Sequence, residues 1–229
     1  MASAPDVIFE ALREAITEGQ LAEGEVLRQD RIARMFNVSR IPVREALARL
    51  EEQGLVSTQR YRGAVVSALS TDEIQEIFEF RALLEPEVLR LSIDNLSPAR
   101  LEQAAAYCTG FANEADSARW NYWNRNFHYS LYEDADRPYY LQVVGAALDR
   151  IERYLRAQLV LTDGMPRAVR EHRAILDACI RRDKDLAAAL TREHIIEAGG
   201  SLIAFLRDQR CQVNAPVLTA APPAESKGP

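Results

Sequence analysis

Apolar residues recur at helical intervals along most of the chain, and the breaks in that pattern divide it into two textures. Val7, Ile8, Leu12 and Ile16 share one face over about 5–18, and Gly19 stops that helix. Residues 20–26 read as a connection. The stretch 28–36 predicts a short helix with Ile32, Ala33 and Phe36 inward, followed by a tight turn at Asn37-Val38. Over 39–53 the apolar positions are Val43, Ala46, Leu47 and Leu50, a single stripe, with Ser39 in position to cap and Gly54 to terminate. Pro42 falls in the first turn, where amide hydrogens lack intrahelical partners anyway, so it starts this helix rather than breaking it. Two β-prone runs at 55–58 and 64–67 flank Gln59-Arg60-Tyr61-Arg62-Gly63, which predicts a hairpin with the glycine at its tip. Three helices and a hairpin make a small winged helix-turn-helix unit.

From Leu69 onward the helical periods lengthen. Ser70-Thr71-Asp72-Glu73 is a capping box opening a helix that Pro86 kinks or ends. Further starts fall at Ser97-Pro98, near Asp116, at Arg137-Pro138 and at Met165-Pro166, and Arg182-Asp183 breaks the stretch before a last helix. The expectation is a mainly α chain. Residues 1–69 form the winged unit, 70–212 an all-α antiparallel bundle of six or so helices without strands, and the Ala/Pro-rich 213–229 a disordered tail.

With 229 residues, 48% apolar and 27% charged, the chain can bury a substantial core, which excludes disorder over most of its length. It contains no apolar run long enough for a bilayer helix, and its first residues lack a basic stretch leading into an apolar one. The chain therefore reads as cytoplasmic. Cys108, Cys179 and Cys211 are odd in number and far apart, which suits buried thiols in a reducing compartment rather than a disulfide frame or zinc ribbon.

Charge changes the picture more. The net charge of −6 argues against nucleic acid only if it is spread evenly. It is not. Residues 1–27 hold one arginine against six acidic residues, whereas 28–62 hold eight arginines against four, a net of +4. A basic island in an acidic protein is the linear trace of a phosphate-binding face. Arg40 and Arg44 lie one turn apart, opposite the stripe of Val43, Leu47 and Leu50, in the half of the third helix that enters a major groove. There an arginine fork takes guanine O6 and N7 together. The first-turn amides and the Ser39 hydroxyl suit a phosphate oxygen, and Arg60 and Arg62 flank the hairpin tip, where a wing meets backbone or minor groove. The competing reading pairs Arg40 with Asp30 and leaves Arg44 solvating a helix.

The chain has three histidines, His128, His172 and His194, each on an apolar helical stripe. A single inward histidine is ordinarily a neutral core residue with one hydrogen bond. Three from separate helices of one bundle are how bundles assemble metal sites. Trp120, Tyr122, Trp123, Phe127, Tyr129 and Tyr132 line a pocket or fill the core.

The string Ser39-Arg40-Ile41-Pro42-Val43-Arg44-Glu45-Ala46-Leu47, followed by Leu50 and Gly54-Leu55-Val56, resembles the winged helix-turn-helix of the GntR family of bacterial transcription regulators. The stretch carrying Phe78, Arg81 and Glu85 is similar to the opening of the FadR-type (FCD) effector domain, so the resemblance spans about 6–210. Two positions depart from the family pattern: Ile41 stands where threonine is usual and Gln29 where glutamate is usual. The resemblance implies a homodimeric regulator whose Arg31, Ser39, Arg40, Pro42, Arg44, Arg60, Arg62 and Gly63 contact a palindromic DNA operator.

It also implies a divalent metal of the zinc, nickel or manganese class and a small carboxylate effector. Asn124, His128, His172 and His194 match the pattern of an Asp and three His around the cation, with Asn124 in the Asp position. Asn124 and His128 share a helix face, but an amide leaves a bound dication at +2 rather than +1 and is a weaker ligand than a carboxylate. Arg81 suits the effector carboxylate as a bidentate clamp, or pairs with Glu85 four residues on. The rival readings are a metal-dependent enzyme with a basic accessory domain and a winged helix that contacts only protein.

Overall fold

A computed structural model of the chain describes residues 3–161 and 164–213. The predicted disordered tail at 213–229 lies outside the described residues apart from Val213, which is helical, and the side chain of Cys211 lies outside them too.

The first unit assembles from α1 (Ala4–Thr17), α2 (Gln29–Met35), α3 (Arg40–Glu52) and an antiparallel hairpin of β1 (Val56–Gln59) and β2 (Gly63–Val66). Ser3 and Asp6 form a capping box on α1, a signal present in the sequence but not used above. Gly19, at φ +74, lets the chain turn away at its end. The stripe of α3 packs as its spacing requires: Val43, Ala46 and Leu50 are fully buried against Ile8, Leu12 and Ile16 of α1. Truncating Leu50 to alanine there costs about 2–5 kcal/mol. The segment before α2 joins the hairpin, with a bridge between Val26 and Val65. The hairpin differs from expectation at its tip. Gly63 opens β2, opposite Gln59, and the turn is carried by Tyr61 at φ +67, with its ring 91% exposed.

Among the described residues the second unit holds six α-helices: α4 (Thr71–Ile93), α5 (Pro98–Asn113), α6 (Trp120–Tyr132), α7 (Pro138–Leu161), α8 (Met165–Ile180) and α9 (Lys184–Val213). Short 3-10 turns precede and follow α6, and no strand occurs among the described residues beyond the hairpin. Ser70 and Glu73 cap α4 reciprocally, Ser97 caps α5, and Asp116 accepts from the Ala118 amide ahead of α6. α4 runs through Pro86 instead of ending there. Pro86 and its neighbours Glu85, Val88 and Leu89 are buried, so packing holds the helix past one missing amide hydrogen bond. α4 lies along α9, and Gly199 permits this approach: a β-carbon there would meet the Phe78 ring at 2.6 Å. Cys108 and Cys179 are buried free thiols, and burial pushes the Cys179 thiol up to about 12.

Candidate functional site

Two arrangements carry chemistry. The first is on α3 and the hairpin. Because α3 buries only its Val43, Leu47 and Leu50 side, Arg40 and Arg44 are left exposed, together with Arg31, Ser39, Arg60, Arg62 and Gly63, while Pro42 is half-buried. Ser39 occupies the N-cap position, yet its hydroxyl makes no capping bond, so it remains available to an incoming acceptor or donor. Arg40 pairs through Nε with Asp30 of α2, both side chains more than half exposed. Arg44 engages no carboxylate among the described residues. In the hairpin, Arg60 lies over the Tyr61 ring at 5.0 Å, and Arg62 donates to Gln59 and, at 3.4 Å, to the Gly24 carbonyl. Tyr61 was not singled out by sequence, although a positive φ on an exposed aromatic marks it.

The second arrangement is a buried side-chain cluster inside the helical unit. His128 (α6), His172 (α8) and His194 (α9) converge there, their ring centroids 5.0, 5.0 and 5.2 Å apart, and one ring nitrogen from each lies within 4.8 Å of the others. His172 is fully buried, stacked on Phe127 at 4.4 Å and beside Phe111 at 4.9 Å. Burial, and then the neighbouring imidazoles, hold His128 and His172 well below the ordinary imidazole pKa. They are neutral rings with lone pairs to offer.

The hydrogen bonding of this cluster is incomplete. His128 Nε2 and both nitrogens of His172 are buried without a hydrogen-bond partner, a state that buried polar groups rarely tolerate. Orphaned imidazole nitrogens in a cluster whose ring nitrogens lie within 4.8 Å of one another fit a divalent cation, which would satisfy them without protons. Asn124 lies one turn before His128 on α6 and is half-buried. Arg81 forms the ion pair with Glu85, Nε to Oε1 at 2.5 Å, both side chains essentially inaccessible.

Glu85 also accepts from the Tyr132 hydroxyl at 3.0 Å, and that hydroxyl is 3.3 Å from His128 Nδ1. His194 Nδ1 is 2.7 Å from Glu171. The sequence reading missed these roles of Tyr132, Glu85 and Glu171, although Glu171 precedes a candidate ligand directly.

A charged network joins the two units. Asp149 of α7 receives Arg13 of α1 at 2.9 Å and Arg125 of α6 at 2.5 Å, and Arg125 also reaches Glu152 at 2.8 Å. Burial disfavours the Arg125 charge, but Glu152 and Asp149 more than offset it and raise its pKa. Arg153 and Arg156 of α7 donate to backbone carbonyls of Ser67 and Glu18 in the first unit.

Comparison with known proteins matches these two units separately. Residues 5–66 match the bacterial regulatory proteins of the gntR family, and residues 76–197 match the FCD domain. The chain belongs to the GntR family. It is 29% identical over 83% of its length to the HTH-type transcriptional regulator BphR of Paraburkholderia xenovorans, covering 81% of that protein. It is 28% identical to the galactonate operon transcriptional repressor of Escherichia coli, over 81% of this chain and 92% of that one. A GntR family regulator of known structure from Pseudomonas syringae superposes with a TM-score of 0.56 at 33% identity, covering 92% of this chain and 89% of its own.

This GntR protein is therefore a DNA-binding transcription regulator with a helical FCD domain, in a family of regulators rather than enzymes. No helix among the described residues is long and apolar enough to cross a membrane.

Proposed function

We propose that this GntR regulator acts as a homodimer that binds a palindromic operator through its winged units and releases or engages it when a small carboxylate binds at a divalent metal in the FCD domain. The observation that carries the effector half is the cluster of His128, His172 and His194 with its partnerless buried nitrogens. Those three histidines, with Asn124 alongside, are the residues that would hold the ion. When bound, it would supply a Lewis-acidic anchor for an anion. The similarity to a galactonate operon repressor supports an organic acid as that anion.

On the DNA side, Arg40 and Arg44 read base edges, while Arg31, Ser39, Pro42, Arg60, Arg62 and Gly63 set the protein against the backbone. Dimeric readers pair with two-fold symmetric sites. Effector control requires the acid to favour one arrangement of the winged units over another, since equal affinity shifts nothing. The route available is α6, which carries both His128 and Arg125; Arg125 shares Asp149 with Arg13 of α1.

The test is a thermal-shift screen of small carboxylates on the full chain, with and without zinc, nickel or manganese. Folded-state ligands raise the melting point. The proposal expects an acid whose stabilisation needs the metal and vanishes in His172→Ala. An acid that stabilises equally without metal, or no metal content at all, contradicts it. Asn124→Asp should tighten metal retention by restoring a charged ligand; unchanged affinity would remove Asn124 from the set.

A further inference from the structure

We infer that two arginine–glutamate pairs fix the ring orientation and tautomer of the outer histidines: Arg81 and Glu85, acting through Tyr132, set His128, and Arg167 and Glu171 set His194. Both rings are thereby held with hydrogen on Nδ1 and a bare Nε2 left for a metal. The inference rests on the metal reading above for its purpose, though not for its geometry.

Donor arithmetic decides the His128 side. The Glu85 carboxylate, paired with Arg81 at 2.5 Å, can only accept. The Tyr132 hydroxyl owns one hydrogen, and its oxygen stands 3.0 Å from Glu85 Oε2 and 3.3 Å from His128 Nδ1. Glu85 has none to give, so the tyrosine hydrogen points at Glu85. The tyrosine oxygen then faces His128 with lone pairs, and His128 must place its hydrogen on Nδ1. Nε2, which has no partner, is left with the free lone pair.

All four groups are buried, with Arg81, Glu85, Tyr132 and His128 at most 3% exposed, so no water substitutes for a lost link.

The His194 side is one link shorter and more exposed, and its arginine, Arg167, also donates to Glu197 at 3.4 Å. Glu171 Oε2 is 2.7 Å from His194 Nδ1, and Arg167, four residues earlier on α8, sits 3.7 Å from the other carboxylate oxygen. Arg81 and Glu85 have the same four-residue spacing on α4. His172 has no hydrogen-bond partner among the described residues; it packs against the rings of Phe127, Phe111 and the other two histidines. Its tautomer is therefore set by no hydrogen bond, unlike those of its two neighbours. On this inference Arg81 is a positioning residue at the far end of a chain of hydrogen bonds. Partners of this kind raise ligand basicity and fix the ring, and removing them typically lowers metal affinity 10–100-fold.

The test uses full-length protein with nitrogen-15 in its histidines, read first without metal and then by zinc titration against a competing chelator. Wild type should show His128 and His194 in the Nδ1–H form. Tyr132→Phe, which keeps the ring and removes only the hydroxyl, should free one of them, and Glu171→Ala the other. Zinc affinity should fall about 10–100-fold in each. Glu171→Gln retains an acceptor oxygen and should preserve the tautomer that Glu171→Ala loses. An unchanged His128 signal in Tyr132→Phe overturns the inference, as does unchanged zinc affinity when the signal moves. Wild-type protein that shows both tautomers yet holds no zinc overturns instead the metal reading, and with it the positioning role.

Discussion

Two ion pairs of the same chemistry, one in each unit, are placed in opposite surroundings. Arg40 and Asp30 meet at the surface of the winged unit, with side chains 72% and 58% exposed. Arg81 and Glu85 meet inside the FCD domain at 4% and 0%. Water and salt screen the first pair, so it contributes about 0–1 kcal/mol and exchanges easily for another anion. Neither partner of the second can be removed without stranding the other in a medium that solvates it poorly. On the proposed reading Arg40 is left loosely held for a phosphate or base, whereas Arg81 is tied to Glu85 and would hold other groups still.

Substitutions can break that contrast, and the largest effect falls inside. Glu85→Ala strands the Arg81 guanidinium and should destabilise the protein by about 3–5 kcal/mol, read by urea unfolding. A loss within 1 kcal/mol would mean that the buried pair is as dispensable as the exposed one. Next, Arg44→Ala should weaken operator binding by about 1–3 kcal/mol and relax sequence preference at one base position. Its melting temperature should stay near wild type, as exposed substitutions shift stability by about 0.5 kcal/mol or less. Arg62→Ala should weaken binding to all sequences alike and lower the salt slope by about one.

The histidine cluster should also respond to pH, in a direction fixed by the lowered pKa of His128 and His172. Unfolded, His128 and His172 titrate near a pKa of about 6.5; folded, burial and their neighbours hold them well below it. As pH falls through about 6.5 the unfolded chain binds protons that the native state refuses, so stability present above that value is lost below it. Metal-free protein should melt lower at about pH 5.5 than at about pH 7.5, and His172→Phe should flatten the difference. A melting point that rises on acidification would contradict the neutral-imidazole account. The smallest effect belongs to Asp30→Ala, with a stability change of about 0–1 kcal/mol and operator affinity equal or higher once Arg40 is released.

What the sequence disclosed follows from the range over which spacing carries information. Caps, prolines and four-residue pairs act within one or two turns, so α3, the capping box of α4 and the Arg81–Glu85 pair were all readable. The hairpin was readable too, but the residue at its tip was not. A glycine in a turn sequence suggests the apex, whereas the backbone placed Tyr61 there and gave Gly63 to a strand. Pro86 was ambiguous because its effect depends on what packs around it, and burial against neighbouring helices carries α4 through.

The convergence of three histidines followed from stripes on separate helices. Their partners did not, because Glu85 meets Tyr132 across 47 positions and Glu171 meets His194 across 23. Such contacts are set by how helices dock, which no local period encodes.

The account stands most directly on the outward arginines of α3. A duplex selected from random sequence by the full-length protein, titrated with wild type and with the Arg40→Ala/Arg44→Ala double variant at low and moderate salt, measures them. The prediction is steep salt dependence for wild type and at least about a hundredfold loss for the double variant, with its fold intact. Equal affinity for the two proteins would contradict it.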